Sequence, residues 1–290
     1  MLEVKNLKKR FGDNQALDGV SLKVGQGELF GFVGANGAGK TTTMRIIMGL
    51  LSKDDGEVLW RGNPMKRQDR VRATFMPEER GLYPKMRIGA QIAYFGELHG
   101  QTRAEAKHAA SKWLERLNLA DREKDYVQDL SLGNQQRVQL AVSLVHEPDL
   151  LILDEPFSGL DPIAVDTMGE VLAERAKAGV PVIFSSHQLE LVEKLCDQVG
   201  IISAGKMVAS GSVAELRRQG TSKLRVIIDG ADPNWVSQLG VTSTSVANNE
   251  WVIDSQDDQR ILKAAMAAGR VVKFGFDEPS LVDIFREAAT

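Results

Sequence analysis

The spacing of apolar and polar residues changes several times along the chain, and each change predicts an element. Residues 2–11 open with partial alternation, Gly12-Asp13-Asn14 supplies a turn, and Val20, Leu22 and Val24 alternate again. These stretches predict two edge strands which, with Gly56 to Trp60, make a small antiparallel layer. The continuous apolar run Leu29-Phe30-Gly31-Phe32-Val33 predicts a further strand, and residues 43–49 a helix with Met44, Ile47 and Met48 towards one side. Residues 70–76 read as a short strand that stops at Pro77, ahead of a charged, proline-bounded loop to Pro84.

From Ile88 to Leu119 the period becomes helical: Ile92, Phe95 and Leu98 recur at intervals of three, and residues 104–114 are strong helix formers. A second amphipathic helix follows over 135–145, introduced by Leu130-Ser131-Leu132-Gly133-Asn134. Leu150-Leu151-Ile152-Leu153 has the apolar texture of a buried parallel strand. A helix from about 163 to 178, a strand over 180–186, a hairpin about Ala204-Gly205 and a helix over 212–218 ending at Gly220 complete this region.

Past Gly220 the texture changes. Residues 224–228, 250–253 and 270–274 predict strands, and 232–240, 256–268 and 280–289 predict helices, a compact α+β domain with no nucleotide motif. Trp235, Trp251, Phe274 and Phe276 are expected in its core. The expected division is a first domain over 1–220, with a helical subdomain at about 86–140, and a second over 221–290.

Composition changes this picture little. A formal charge of −3 and a pI near 5.9 give no bias towards polyanions, so no nucleic acid partner is expected. The single cysteine, Cys196, rules out an intramolecular disulfide framework, and its surroundings suit a core position. His99 and His108 have no metal-ligand company in the sequence. No apolar run reaches the roughly 18 residues needed to span a bilayer, and the N-terminus has no signal-peptide core. The chain is expected to be soluble unless a partner holds it at a membrane.

The candidate chemistry starts at Gly34-Ala35-Asn36-Gly37-Ala38-Gly39-Lys40-Thr41-Thr42, set between a predicted strand and a predicted helix. Glycines let successive backbone N–H groups turn towards an anion, and the helix adds its positive end. In such a loop Lys40 reaches β- and γ-phosphates and Thr41 puts its hydroxyl on Mg²⁺. Asp154 and Glu155 leave the end of the strand 150–153, where the first carboxylate suits a metal and the second a general base for water attacking the γ-phosphate. His187, at another strand end, can hydrogen-bond a γ-phosphate. Phe11 before its turn suits either stacking on a base or strand packing, and Glu78 and Glu79 suit either solvent or a metal. Ser131 and Gly133 suit an anion site or simply a capped helix start.

Taken in order, these elements resemble an ATP-binding cassette, the nucleotide-binding subunit of ABC transporters, over about residues 1–218. The phosphate loop matches Gly34 to Thr42, the adenine-stacking aromatic Phe11, the Q-loop Pro77-Glu78, and the signature Leu130 to Asn134. The Walker B pair matches Asp154 and Glu155, the D-loop 158–161, and the switch histidine His187. The resemblance implies an α/β P-loop NTPase fold with an antiparallel β subdomain and a helical insert, followed by a small α+β domain. It implies an ATPase using ATP and Mg²⁺. Lys40, Glu155 and His187 would be catalytic, with Thr41, Asp154 and Glu78 at the metal. Phe11, Gly34, Asn36, Gly37, Ala38, Gly39, Lys40, Thr41, Thr42, Ser131 and Gly133 would bind nucleotide. Two departures stand out: glutamate replaces the Q-loop glutamine at Glu78, and Leu132 and Asn134 replace a glycine and a glutamine of the signature.

Such cassettes pair head to tail, so the implied partners are a second copy or a similar cassette, and integral-membrane permease subunits on whose cytoplasmic face the chain sits. Residues 276–287 resemble the end of cassettes from bacterial multidrug, antibiotic or sodium-efflux exporters, which favours export. Ribosomal or DNA-repair cassettes are tandem or split by coiled coils, features this sequence lacks, and simple P-loop kinases lack the signature and switch histidine. A hydrolysis-poor regulatory cassette is the alternative that Leu132 and Glu78 keep open.

Overall fold

The computed structural model describes residues 1–219, 223–232, 234–247, 249–255, 257–277, 280–282 and 284. They divide into two compact units, Met1–Val213 and one built on Ala214–Ala288.

In the first unit β1 (Leu2–Phe11) pairs antiparallel with β2 (Asn14–Val24). β3 (Leu29–Val33) then leads through the glycine loop into α1 (Lys40–Ile47). β4 (Asp55–Trp60) returns antiparallel to β1 and carries the short β5 (Asn63–Pro64), giving a sheet ordered β2-β1-β4-β5. Leu2, Val4, Leu22 and Val24 from this sheet pack in one cluster with Met44 and Ile47 of α1 and Phe30 and Phe32 of β3. The glycine loop is thereby anchored at both ends by buried apolar side chains.

The stretch 70–76 differs from the all-strand expectation: α2 (Arg67–Val71) precedes β6 (Ala73–Met76). The helical turn wins because Asp69 Oδ2 accepts from Lys66 N at 2.8 Å, while the Arg70 guanidinium donates to Ile47 O and Met65 O, each at 2.9 Å. Strand geometry begins where β6 pairs in parallel with the strand that starts at Leu150, from Ala73 opposite Leu150.

The helical insert consists of α3 (Ile88–Leu98), α4 (Arg103–Arg116) and α5 (Leu132–Leu144). Thr102 and Glu105 form a reciprocal capping box at the start of α4, and Ser131 caps α5 by accepting from Asn134 N. The chain continues through β7 (Leu150–Leu153), α6 (Pro162–Lys177), β8 (Val182–Ser186), α7 (Leu189–Leu195), β9 (Gln198–Ser203) and β10 (Lys206–Ser212). These strands join a six-stranded sheet ordered β10-β9-β3-β8-β7-β6, parallel except for the β9–β10 hairpin. Cys196, just past α7, is buried as expected. Because β3, β7 and β8 are parallel neighbours, the loops after Val33, Leu153 and Ser186 leave the same edge of the sheet, where open α/β sheets bind ligands.

α8 (Val213–Gln219) leads into the second unit, and the expected helix stop at Gly220 lies outside the described residues. β11 (Lys223–Asp229), β12 (Thr242–Ala247), β13 (Glu250–Asp254) and β14 (Arg270–Asp277) form an antiparallel sheet ordered β12-β13-β11-β14, with α9 (Asp258–Ala268). Leu224, Val226, Ile228, Trp251 and Ile253 pack with Ile261 and Ala265 of α9. Three expectations change here. The described residues 234–240 hold turns and a 3₁₀ segment at Ser237–Leu239 instead of the helix expected over 232–240. The strand Thr242–Ala247 was not expected because every one of its residues is exposed on a sheet edge, so no apolar period marks it. Phe276 is 43% exposed instead of buried; it stands near the end of β14, an edge strand of the sheet. The expected helix over 280–289, and Gln256 at the start of another, fall largely outside the described residues.

Candidate functional site

The loop after β3 is shaped by glycines that other residues would not replace. Gly37 and Gly39 have φ of +79° and +113°, and a Cβ on Gly34 would overlap the carbonyl of Ile202. Asn36 and Gly37 are exposed at the tip, whereas Ala38 is buried beneath it. Lys40 opens α1 with its side chain buried; Nζ donates to Gly34 O at 2.6 Å and Ala35 O at 3.3 Å. The ammonium therefore fills the middle of its own loop.

Opposite it, the chain leaving β7 places two buried carboxylates. Asp154 is anchored by its N–H to Met76 O of β6 at 2.8 Å. Its Oδ2 accepts from Thr41 Oγ1 and its Oδ1 from Ser185 Oγ, both at 2.7 Å. Glu155 has φ of +48°, a left-handed conformation rare for a residue with a side chain, and its N–H donates to Ser185 Oγ at 2.8 Å. Glu155 Oε2 lies 2.9 Å from His187 Nδ1, and Oε1 lies 3.6 Å from Lys40 Nζ with no hydrogen-bond donor of its own. An ionised carboxylate only accepts, so Nδ1 of His187 carries the proton in this contact.

A cavity of about 500 Å³ opens over this cluster. Lys40, Thr41, Thr42, Asp154, Glu155 and Glu78 line one part of it, and Phe11, 48% exposed, lines another. Asn36, Gly37 and Gly39 also line it. Gly34 and Ala38 support the loop from behind, and His187 reaches the cluster through Glu155. Ser131 and Gly133 stand apart, at the start of α5; Gly133 packs towards Leu160, and Leu132 is 60% exposed. The donors at the cavity fit Mg²⁺ in kind: a hydroxyl on Thr41 and a carboxylate on Asp154 are hard oxygen ligands, with the carboxylate of Glu78 also on the wall. Among the described residues no group of three or more His, Cys, Asp or Glu could hold a metal alone.

Three contributors escaped the sequence reading. Ser185 bridges Asp154 and Glu155; its only signal was a hydroxyl inside an apolar strand. Gln136 and Gln139, buried on α5, donate to Pro156 O at 3.0 Å and Pro77 O at 2.8 Å, tying that helix to the loops after β7 and β6. His99 lies exposed at the end of α3, and its ring stacks on His146 with centroids 3.8 Å apart.

Comparison with known proteins identifies the family. Residues 17–158 match the ABC transporter family, and residues 211–289 match the C-terminal domain of DrrA1-3-like ATP-binding proteins. The ABC transporter ATP-binding protein YhaQ of Bacillus subtilis is 40% identical over 99% of this chain and 98% of its own length. The daunorubicin resistance ATP-binding protein DrrA3 of Streptomyces coeruleorubidus is 32% identical over 91% of this chain and 82% of its own. A solved ATP-binding subunit of an ABC transporter superposes with a TM-score of 0.69 at 30% identity, covering 76% of this chain and 92% of that one. The chain belongs to the ABC transporter ATP-binding proteins, and it is an ATP-binding ATPase of that family.

Proposed function

We propose that two copies of this chain, or one copy and a similar cassette, close head to tail on ATP and power export through separate membrane subunits. The convergence of Lys40, Thr41, Asp154, Glu155 and His187 at one end of the parallel sheet carries this reading. Lys40 would exchange its bonds to Gly34 O and Ala35 O for the β- and γ-phosphates, while the N–H groups of the loop cradle them. Phe11 would stack on the adenine. Thr41, Asp154 and Glu78 would hold Mg²⁺, which, when bound, neutralises charge on the phosphate oxygens. Glu155 would take the proton of the attacking water, and His187 would leave Glu155 to donate to the γ-phosphate.

Ser131 and Gly133 lie apart from the cavity of their own chain, which is where a residue serving the partner's nucleotide must lie. In this reading residues 1–220 form the cassette and 221–290 an accessory domain, with the chain held peripherally at the cytoplasmic face of the membrane. No helix among the described residues is long and apolar enough to cross a membrane. Relatives named for linearmycin resistance, daunorubicin resistance and Nod factor export favour that direction.

The test is phosphate release and ATP-dependent dimerisation of the purified chain beside Glu155→Gln. Hydrolysis by the parent and an ATP-trapped dimer in the variant are expected. Closure without turnover in both would instead favour a regulatory cassette.

A further inference from the structure

We propose that Ser185 is a positioning residue for hydrolysis, aiming both acidic residues of the site through one hydroxyl. The inference rests on the assignment of Asp154 to the metal and Glu155 to the water.

Ser185 is fully buried in β8, which is hydrogen-bonded between β3 and β7. A hydroxyl offers one donor and two acceptor sites, and here both kinds are used: it donates to Asp154 Oδ1 at 2.7 Å and accepts from Glu155 N at 2.8 Å. The first bond fixes the rotation of the Asp154 carboxylate, because Oδ2 is then directed to Thr41 Oγ1 at 2.7 Å. The second fixes the peptide plane between Asp154 and Glu155. From that plane the chain continues at a left-handed φ of +48° at Glu155, whose side chain reaches both His187 and Lys40. A continuous chain therefore runs from Thr41 through Asp154 and Ser185 to Glu155. Without the hydroxyl, a buried N–H and a buried carboxylate oxygen each lose their partner, and Thr41 alone is left to orient the Asp154 carboxylate.

The neighbouring Ser186 has different work, accepting from Gln188 N at 3.0 Å, so the two serines are not interchangeable. Partners of metal ligands typically change metal affinity or activity by about 10- to 100-fold when lost.

The experiment compares Ser185→Ala, Ser185→Thr and Ser185→Cys in the full chain, with Thr167→Val as a buried-hydroxyl control on α6. Steady-state phosphate release is measured against ATP and against Mg²⁺, with a thermal melt for each protein. Ser185→Ala is expected to lower kcat about tenfold or more and to raise the Mg²⁺ concentration for half-maximal rate, with KM for ATP nearly unchanged. Ser185→Thr, which keeps the hydroxyl, should recover most of the rate, and Ser185→Cys should fall between. Unchanged kcat and Mg²⁺ dependence in Ser185→Ala overturn the proposal. So does a Thr variant as impaired as the Ala variant, with losses that follow the melting temperature alone; if Ser185→Ala does not fold, the Thr and Cys variants decide by the same two readouts. Full turnover by Glu155→Gln would instead remove the assignment of the base, whatever Ser185 does.

Discussion

Lys40 and Glu155 face each other across the phosphate loop, with Nζ 3.6 Å from Oε1 and both side chains almost wholly buried. The pair is held by charge and not by a hydrogen bond, since the ammonium bonds the carbonyls of Gly34 and Ala35 while Oε1 has no donor. A lysine satisfied only by loop carbonyls can leave them for phosphate oxygens at little net cost, because one set of acceptors replaces another.

Replacing Lys40 by alanine is therefore expected to have two separable effects. Nucleotide affinity should fall at least about tenfold, read by titration of a fluorescent ATP analogue. Stability should also fall by roughly 1–3 kcal/mol, because Glu155 is left buried without its cation. Lys40→Ala with Glu155→Gln should regain part of that stability and none of the affinity. Equal instability in the single and double variants would show that the two side chains do not interact energetically.

How much of this was legible in the sequence follows from which constraints are local. Gly37 and Gly39 announce themselves because their backbone angles admit little else, and the run 150–153 announces a buried strand because both its faces are covered. Asp154 and Glu155 follow from that strand's end. Ser185 was silent, since its task is set by a parallel neighbour about 30 residues distant, and one serine in an apolar strand has no period to betray it. The helix α2 was misread for a related reason: Arg70 is held there by carbonyls of Ile47 and Met65. The exposed strand at 242–247 shows the opposite failure, order set by backbone pairing to β13 with no buried face to signal it.

Gly31 sits at the middle of β3 with the space of a side chain already taken. A Cβ there would overlap Val192 of α7 and come within 3.1 Å of Cys196 Sγ. Gly31→Ala should destabilise the chain by about 1–3 kcal/mol in denaturant titration. Adding Val192→Ala, itself destabilising, should cost less than the sum of the two changes, because the second opens room for the first. Burial raises the pKa of the Cys196 thiol, with the charge of Asp197 adding to the effect, so native protein should react slowly with thiol reagents. Faster labelling in Gly31→Ala would report α7 lifting from the strand; unchanged labelling with unchanged stability would contradict the packing argument.

Asp149 precedes β7, the strand that leads into Asp154 and Glu155. Arg72 grips it with Nε at 2.8 Å from Oδ2 and Nη2 at 3.1 Å from Oδ1, and this hydrogen bonding holds the carboxyl below the usual range. A carboxyl so depressed stabilises the fold above its unfolded pKa, and that contribution is lost as pH falls. Arg72 is largely exposed, so the effect should be small. Asp149→Asn should lower Tm by about 2 °C or less at pH 7, with the difference shrinking in 1 M salt and at pH 3. ATP turnover should stay within about twofold, since Asp154 is anchored separately by Met76 O. A large loss of kcat without a change in Tm would mean that the start of β7 controls the site more directly than its bonds imply.

His146 gives the chain its clearest expected response to mild acid. Its ring stacks on His99 with 11° between the planes, and both of its ring nitrogens are buried without a partner among the described residues. Burial, and then the charge of His99, push its pKa down to about 4. His99 Nδ1 lies 2.8 Å from Phe95 O and donates to that carbonyl. In the unfolded chain His146 titrates near its ordinary value of about 6.5, so between these values the unfolded state binds more protons than the folded one. The neutral ring's contribution is complete above about pH 6.5, declines as pH falls, and is exhausted below about pH 4. His146→Leu removes this titration while keeping an apolar side chain in the gap. The stability of the variant relative to the parent should therefore rise steadily from pH 7 to pH 4, measured by denaturant midpoints. Carboxylates such as Asp149 and Glu105 titrate alike in both proteins and cancel in the difference. A difference that does not change with pH would place His146 in water-accessible surroundings and remove the burial argument.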